Sequence, residues 1–246
     1  MVTDTLYLYD NGLPFNNELA DNLRDQYYNR IKKKKPSLII IDGGQGEGKT
    51  TLLVHCLDFI NNLVDKPPAD LSIKHHPQIA LGGKEFTKNF NTCKKEELPA
   101  IGYDEAGDFT KRGSVSSFNA RLIRRFETFR SSNLMVIICL PNFGILDNHL
   151  FDLQILRGLI HLKDRSEKSG NMFAYSGMEA GWVRYWIERL PKPLRYQAYS
   201  KCAFSFRGHF KDFPPQRAEQ LARLSDFGKD REDFQAEIRY LGLLTY

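Results

Sequence analysis

Two rhythms of apolar residues alternate along the chain. Leu38–Ile41 and Leu134–Leu140 are continuous apolar runs, and Gly158–Leu162 is one broken only by His161, with the length and composition of core strands. Leu98–Tyr103 is a further short run, and Gln78–Leu81 reads as a second short strand that stops at Gly82-Gly83. Other stretches repeat every three or four residues, as the buried side of a helix does. Leu19, Leu23, Tyr27 and Ile31 predict a helix capped at Asn16 or Asn17. Leu52, Leu53, Cys56, Phe59 and Ile60 predict one over Thr50–Asn61, and Lys84–Lys95 is a polar helix or helical turn. Phe118, Leu122, Phe126 and Phe129 predict another over Ser117–Ser131, and a short helical segment runs through Asp152. Met172–Tyr175 follows the charged turn Lys163–Gly170 as a hairpin partner of the last core strand, so the sheet gains an antiparallel addition. Beyond Trp182 the aromatics suggest a small β appendage. Pro214-Pro215 then marks a linker before two polar helices, Arg217–Arg223 and Arg231–Leu241.

At 246 residues the chain accommodates one large α/β domain with appendages: an N-terminal arm and helix over 1–36, a core over 37–177 and a C-terminal part over 178–246. Hydrophobic content of 41% and charged content of 26% are those of an ordinary globular protein. No apolar run approaches the ~18 residues of a membrane span, and no signal peptide opens the chain, so a cytoplasmic protein is expected. Cys56, Cys93, Cys139 and Cys202 are far apart and form no C-x-x-C pair, which predicts reduced thiols and neither a disulfide nor a zinc site. A net charge of +5 admits nucleic acid or an anionic surface as a partner without selecting one.

The chemistry concentrates in Gly43-Gly44-Gln45-Gly46-Glu47-Gly48-Lys49-Thr50-Thr51, which contains the pattern G-x-x-x-x-G-K-[ST] between an apolar strand and a helix. Its glycines let successive backbone N–H groups turn inward around phosphates, at the positive end of a helix. Lys49 supplies a point charge for the β- and γ-phosphates, and Thr50 a hydroxyl for Mg²⁺. About 55 residues downstream, the apolar run 98–103 ends in Asp104-Glu105. Asp104 is placed to hold the Mg²⁺ shell, and Glu105 to orient and polarise an attacking water. Asn142, just past the strand 134–140, is either a sensor of the γ-phosphate or a turn residue after Pro141. The lysines 32–35 suit either a phosphate contact or a solvated helix end. Arg184-Tyr185-Trp186, Arg195-Tyr196 and Phe204–Arg207 suit either base stacking or packing on the sheet.

Strands separated by helices, with the phosphate loop after the first and the acids after a later one, indicate a doubly wound, mostly parallel P-loop sheet with antiparallel additions and a small C-terminal appendage. An acidic strand set apart from the loop strand by an intervening strand, with Glu105 after Asp104, resembles the additional-strand, catalytic-glutamate ATPases. Within that group, Asp104-Glu105-Ala106, Arg112, Phe129-Arg130, Pro141-Asn142, Leu146-Asp147 and Arg157 resemble the FtsK/HerA-type DNA motors and the zonular occludens toxin-like phage proteins. The motors commonly carry Gln at the sensor position, where this chain has Asn142. The resemblance implies an ATP- and Mg²⁺-dependent ATPase that forms a homo-oligomeric ring and translocates, packages or exports DNA for a virus or mobile element. It would work with a capsid or secretion partner, in the host cytoplasm or the virion, and one subunit's arginine would reach its neighbour's γ-phosphate, with Arg112, Arg124 and Arg125 as candidates for that role or else surface salt-bridge partners. Two other functions use the same fold: a nucleotide-gated assembly scaffold and a P-loop phosphotransferase.

Overall fold

The computed structural model describes residues 12–104, 133–146, 155–166 and 169–240, the backbone alone for Lys84 and 229–240. Helix α1 (Asn17–Asn29) ends in a 3₁₀ turn at Ile31–Lys33, and Lys34, left-handed at φ 57°, reverses the chain into strand β1 (Ser37–Gly43). Helix α2 (Lys49–Asn62), the two-residue strand β2 (Ile79–Ala80), α3 (Gly83–Lys95) and β3 (Ala100–Tyr103) follow. Next come β4 (Met135–Leu140), β5 (Leu156–Lys163), β6 (Ser169–Ser176) and helix α4 (Gly177–Arg189). A 3₁₀ segment (Lys192–Lys201), strand β7 (Phe206–Lys211) and helix α5 (Pro215–Tyr240) complete the described chain.

The strands form one sheet in the order β2-β3-β4-β1-β5-β6-β7. Pairing is parallel from β2 through β5 and antiparallel at β5–β6 and β6–β7. Because side chains alternate across a strand, the apolar runs feed two cores at once. Ile39, Ile41, Ile137 and Ile160 face α1 and α2, whereas Leu38, Ile40, Val136, Ile138 and Leu159 face Phe86 and Phe90 of α3 and Val183 and Ile187 of α4. Strand β1 is buried along its whole length between β4 and β5. At Gly102 of β3 the backbone passes so close to α2 that an added Cβ would lie 2.7 Å from Leu53 Cδ1.

Two segments differ from the expected elements. Trp182–Trp186 belongs to α4 and not to a β-strand: Ala180, Val183, Arg184 and Ile187 are buried at helical spacing, and Ser176 and Glu179 form a capping box at the start. The two expected C-terminal helices are one, because Pro215 sits in its first turn, where a missing N–H costs nothing, and no proline interrupts it before Tyr240. Arg157 falls within β5, beside a register shift against β1 between Leu38 and Ile39, at the end of the sheet away from the glycine loop. The N-terminal segment 1–11, the helices expected over 117–131 and through Asp152, and the Asp147 step lie outside the described residues. Cys56, Cys93 and Cys139 are free and buried, and Cys202 is free and half-buried.

His55 of α2 is buried against Phe213, with a ring nitrogen donating to the Lys211 carbonyl at 2.7 Å. Burial, helped by the nearby Arg217 charge, pulls its pKa down to about 4 from an ordinary 6.5. The unfolded chain therefore takes up the proton first, so this contribution to stability is complete above pH 6.5 and is lost as pH falls towards 4. The loss amounts to about 1.4 kcal/mol per pH unit in that window. Urea midpoints measured from pH 7 to pH 4.5 are expected to fall more steeply for the native chain than for His55→Gln.

A second expectation concerns the β3–α2 contact. Gly102→Ala alone should destabilise by about 1–3 kcal/mol through overpacking, and Leu53→Ala alone by about 2–5 kcal/mol through its cavity. The double variant should lose less than the sum by ~1 kcal/mol or more in the same denaturation assay, since each change makes room for or fills the other.

Candidate functional site

The loop 43–48 leaves β1 in the middle of the sheet, at the C-terminal ends of the parallel strands, where open α/β sheets bind ligands. Gly46 and Gly48 take φ +82° and +87°, values that side chains with a Cβ rarely adopt. Gly48 also has no room: an added Cβ would lie 2.8 Å from Arg165 Nη1 and 2.9 Å from Phe210 Cζ. Its carbonyl accepts the Leu52 N–H at 2.9 Å, so α2 begins directly from the loop and aims its N-terminus into the concavity. Lys49 Nζ donates to the Gly43 and Gly44 carbonyls at 2.9 and 2.7 Å. Gly44, Gln45 and Gly46 are exposed at the rim, Glu47 is half-buried, and Thr51 is buried beneath the loop.

Across the intervening strand β4, Thr50 Oγ1 donates to Asp104 Oδ2 at 2.7 Å. Asp104 is 4% exposed. A hydroxyl and a carboxylate meeting at the mouth of a phosphate loop are the hard oxygen donors that Mg²⁺ prefers, and as Mg²⁺ keeps several waters these two suffice to anchor it. Behind them lies Cys139 of β4, whose thiol is raised well above the ordinary range by burial and then by the Asp104 charge, so it stays protonated and packs as a small apolar group. Glu105, Arg112, Arg124 and Arg125 lie outside the described residues.

Asn142 stands at the exposed end of β4, with its Oδ1 accepting the Gly144 N–H at 2.7 Å. The turn that it opens is tied down twice. The Phe143 N–H donates to Asp42 Oδ2 at 2.9 Å, and the buried Arg184 of α4 donates to the Phe143 and Leu146 carbonyls at 3.3 and 3.0 Å. Arg184 also pairs with Glu188, so this arginine packs and positions; it does not point at solvent.

Two groups of residues escaped the motif reading. Asp42, 1% exposed, also pairs through Oδ1 with His161 Nδ1 at 2.9 Å and accepts a short hydrogen bond from the Tyr199 hydroxyl, whose ring stacks on His161. Burial first, and then the Asp42 charge, hold the Tyr199 hydroxyl well above its ordinary pKa, so it remains a donor. A lone acid closing an apolar strand was the only sequence signal for this cluster. The second group grips the loop from the β5–β6 hairpin. The Arg165 backbone N–H donates to Glu47 Oε2 at 3.1 Å, its Nη1 to the Gly46 carbonyl at 3.3 Å, and its Nη2 pairs with Asp212.

The strand order settles the architecture. A phosphate loop follows the central parallel strand, and the strand ending in Asp104 lies two places away, past β4. This is the P-loop NTPase fold. Against known proteins, no family model matches the P-loop chain and no curated protein matches it. Among solved structures it is similar to the N-terminal domain of zonular occludens toxin from Neisseria meningitidis, at 16% identity and a TM-score of 0.44, over 74% of this chain and 96% of that one. It is also similar to the genome packaging NTPase B204 of Sulfolobus turreted icosahedral virus 2, solved with ATP-γS, at 12% identity and 0.37, over 73% and 98% of the two chains. Domain III of the Thermotoga maritima replication initiation protein DnaA matches at 15% identity and 0.38, over 100% and 94%. Likenesses this distant leave the assignment to the strand order and the loop itself.

Arg165 supports the P-loop in its open-cradle shape, so its removal should be felt by a nucleotide. Arg165→Ala is expected to weaken binding of a non-hydrolysable ATP analogue roughly three- to tenfold, the effect of about 1 kcal/mol at a half-buried ion pair. Asp212→Ala should weaken it in the same direction by less, and the double variant should match Arg165→Ala, all by calorimetric titration.

Proposed function

We propose that the protein is a Mg²⁺-dependent ATPase that drives DNA translocation, packaging or export as an oligomer. The observation that carries the nucleotide half of this reading is the Thr50–Asp104 hydrogen bond, which joins the phosphate loop to the acidic strand across β4. In this reading the backbone N–H groups of Gly44–Thr50 hold the phosphates, and Lys49 exchanges the loop carbonyls for β- and γ-phosphate oxygens. Thr50 and Asp104 would hold Mg²⁺, which when bound would neutralise charge developing on the phosphates. Glu105, following Asp104 directly, orients and deprotonates the attacking water, a role that suits hydrolysis better than transfer to an acceptor hydroxyl.

Asn142 is the proposed γ-phosphate sensor: release of its Oδ1 from the Gly144 N–H would turn it towards the nucleotide, while Asp42 and Arg184 keep the turn itself in place. Arg112, Arg124 and Arg125 remain the candidates for a charge donated to a neighbouring subunit. The DNA half rests on the basic balance of the chain and on the resemblance of its motifs to those of DNA motors and zonular occludens toxin-like proteins.

Hydrolysis of MgATP should rise several-fold with DNA. Lys49→Ala should abolish both nucleotide binding and turnover. Glu105→Gln should lower turnover about 10²- to 10³-fold while retaining nucleotide, as loss of a general base does. Phosphate release, with and without single- and double-stranded DNA, reads all of these. ATP-dependent assembly that survives Glu105→Gln, in a chain that never hydrolyses, would replace the motor by a nucleotide-gated scaffold. A phosphorylated acceptor in place of free phosphate would replace it by a phosphotransferase.

A further inference from the structure

Helix α4 has two apolar stripes, and only one of them faces the protein. Ala180, Val183 and Ile187 are buried against the sheet. On the opposite side Met178, Trp182 and Tyr185 are 76%, 56% and 37% exposed, and Arg189 continues the same stripe one turn further on. Trp182 meets Tyr185 edge to face at 5.5 Å, and the Arg189 guanidinium lies 3.5 Å from the centre of the Tyr185 ring. The 3₁₀ segment 192–201 packs beside the helix and brings Lys201 to 5.0 Å over Trp186 and Tyr196 to the surface at 69% exposure.

The charges on this face have one sign. Glu179 is occupied by the helix cap and by Ser205, and Glu188 pairs with Arg184. Among the described residues Arg189, Lys192 and Lys201 have no carboxylate partner. Aromatic faces interleaved with unpaired cations are the chemistry that binds single-stranded nucleic acid, where bases stack on rings and phosphates meet the cations. A duplex offers its base edges, not its faces, so it has nothing to place on a ring.

We propose that the outer face of α4 and the adjoining 3₁₀ segment is a stacking platform for single-stranded nucleic acid, with Trp182 and Tyr185 as base-stacking groups and Arg189 and Lys201 as phosphate contacts. The proposal deepens the motor reading above and rests on it for its purpose, though not for its chemistry. Its location connects the strand to the nucleotide: the same helix, through Arg184, holds the turn that follows Asn142.

Trp182 and Trp186 are the two tryptophans of the chain, so tryptophan emission, excited selectively over the tyrosines, reports on α4 alone. The experiment is a titration of the full chain with a deoxythymidine oligonucleotide of about 15 nucleotides, without ATP, in the native protein and in Lys49→Ala. Both should show quenched emission and an affinity that falls steeply with salt. Trp182→Ala and Tyr185→Ala should each weaken binding roughly 5- to 100-fold, whereas Trp182→Phe, which keeps a ring to stack on, should stay within a few-fold of native. Arg189→Ala and Lys201→Ala should each lower the salt dependence by about one phosphate contact.

Native affinity in Trp182→Ala and Tyr185→Ala, confirmed folded by circular dichroism, would overturn the proposal, as would equal quenching by a duplex. Loss of self-association in Trp182→Ala with strand binding unchanged would give the face to a second copy of the chain. Hydrolysis stimulated by DNA equally in native and Trp182→Ala would remove the platform and leave the motor. Strand binding at α4 with hydrolysis indifferent to DNA would do the reverse.

Discussion

A carboxyl group buried at the end of the central strand organises the loop-bearing end of this sheet. Asp42 is the last residue before the phosphate loop and is almost completely excluded from water. An acid in that position is tolerated only if its oxygens are satisfied, since an unpaired one costs several kcal/mol. The partners come from three separate parts of the chain: His161 from β5, the Phe143 N–H from the turn after β4, and Tyr199 from the 3₁₀ segment. Satisfying one carboxyl therefore fixes the strand to the right of β1, the turn to its left and the layer above it. The turn so fixed is the one that Asn142 opens.

The loop has its own constraint, and the antiparallel end of the sheet meets it. Gly46 and Gly48 take their left-handed angles at no steric cost, but glycine accepts other angles as readily, so the shape of the loop must be selected from outside. Support comes from Arg165 at the start of the β5–β6 turn and from Phe210 of β7, whose ring also fills the space that a side chain at Gly170 would need. Strands β6 and β7 are thus more than an extension of the parallel core. Without them the loop would lose the wall against which Gly48 is pressed.

What was legible in the chain was local. Strand β1, the glycine loop, α2 and the acidic end of β3 each carry their signal within a dozen residues, and the apolar runs announce strands buried on both faces. The expected strand between the loop strand and the acidic strand is present, since β4 lies between β1 and β3. The Asp42 cluster was illegible for the opposite reason: residues 42, 161 and 199 are separated by long stretches, and each alone is an unremarkable strand or turn residue. The same holds for Arg165 and Asp212, whose link to the loop runs through Arg165 to Glu47 and Gly46. Helix α4 was misjudged as β because its aromatics, which favour strands by propensity, obscured a helical burial period that becomes plain once the sheet supplies the surface to bury against.

That misjudgement exposes a physical point about α4. Aromatic residues between Trp182 and Trp186 would be accounted for by packing if all of them pointed inwards, but the buried stripe is Ala180, Val183 and Ile187, and of the aromatics only Trp186 packs against it. Trp182 and Tyr185 contribute nothing to that core and are weaker helix formers than alanine or leucine. Stability of the fold therefore does not explain their presence on the outer face. Nor does solubility, which an exposed ring lowers. The cations laid across the rings make the face wettable while leaving it aromatic, an arrangement that suits a partner with both flat apolar faces and negative charge. The buried side of the same helix reaches through Arg184 to the end of β4. One rigid element thus turns rings and cations outward while its buried side holds the turn that follows Asn142.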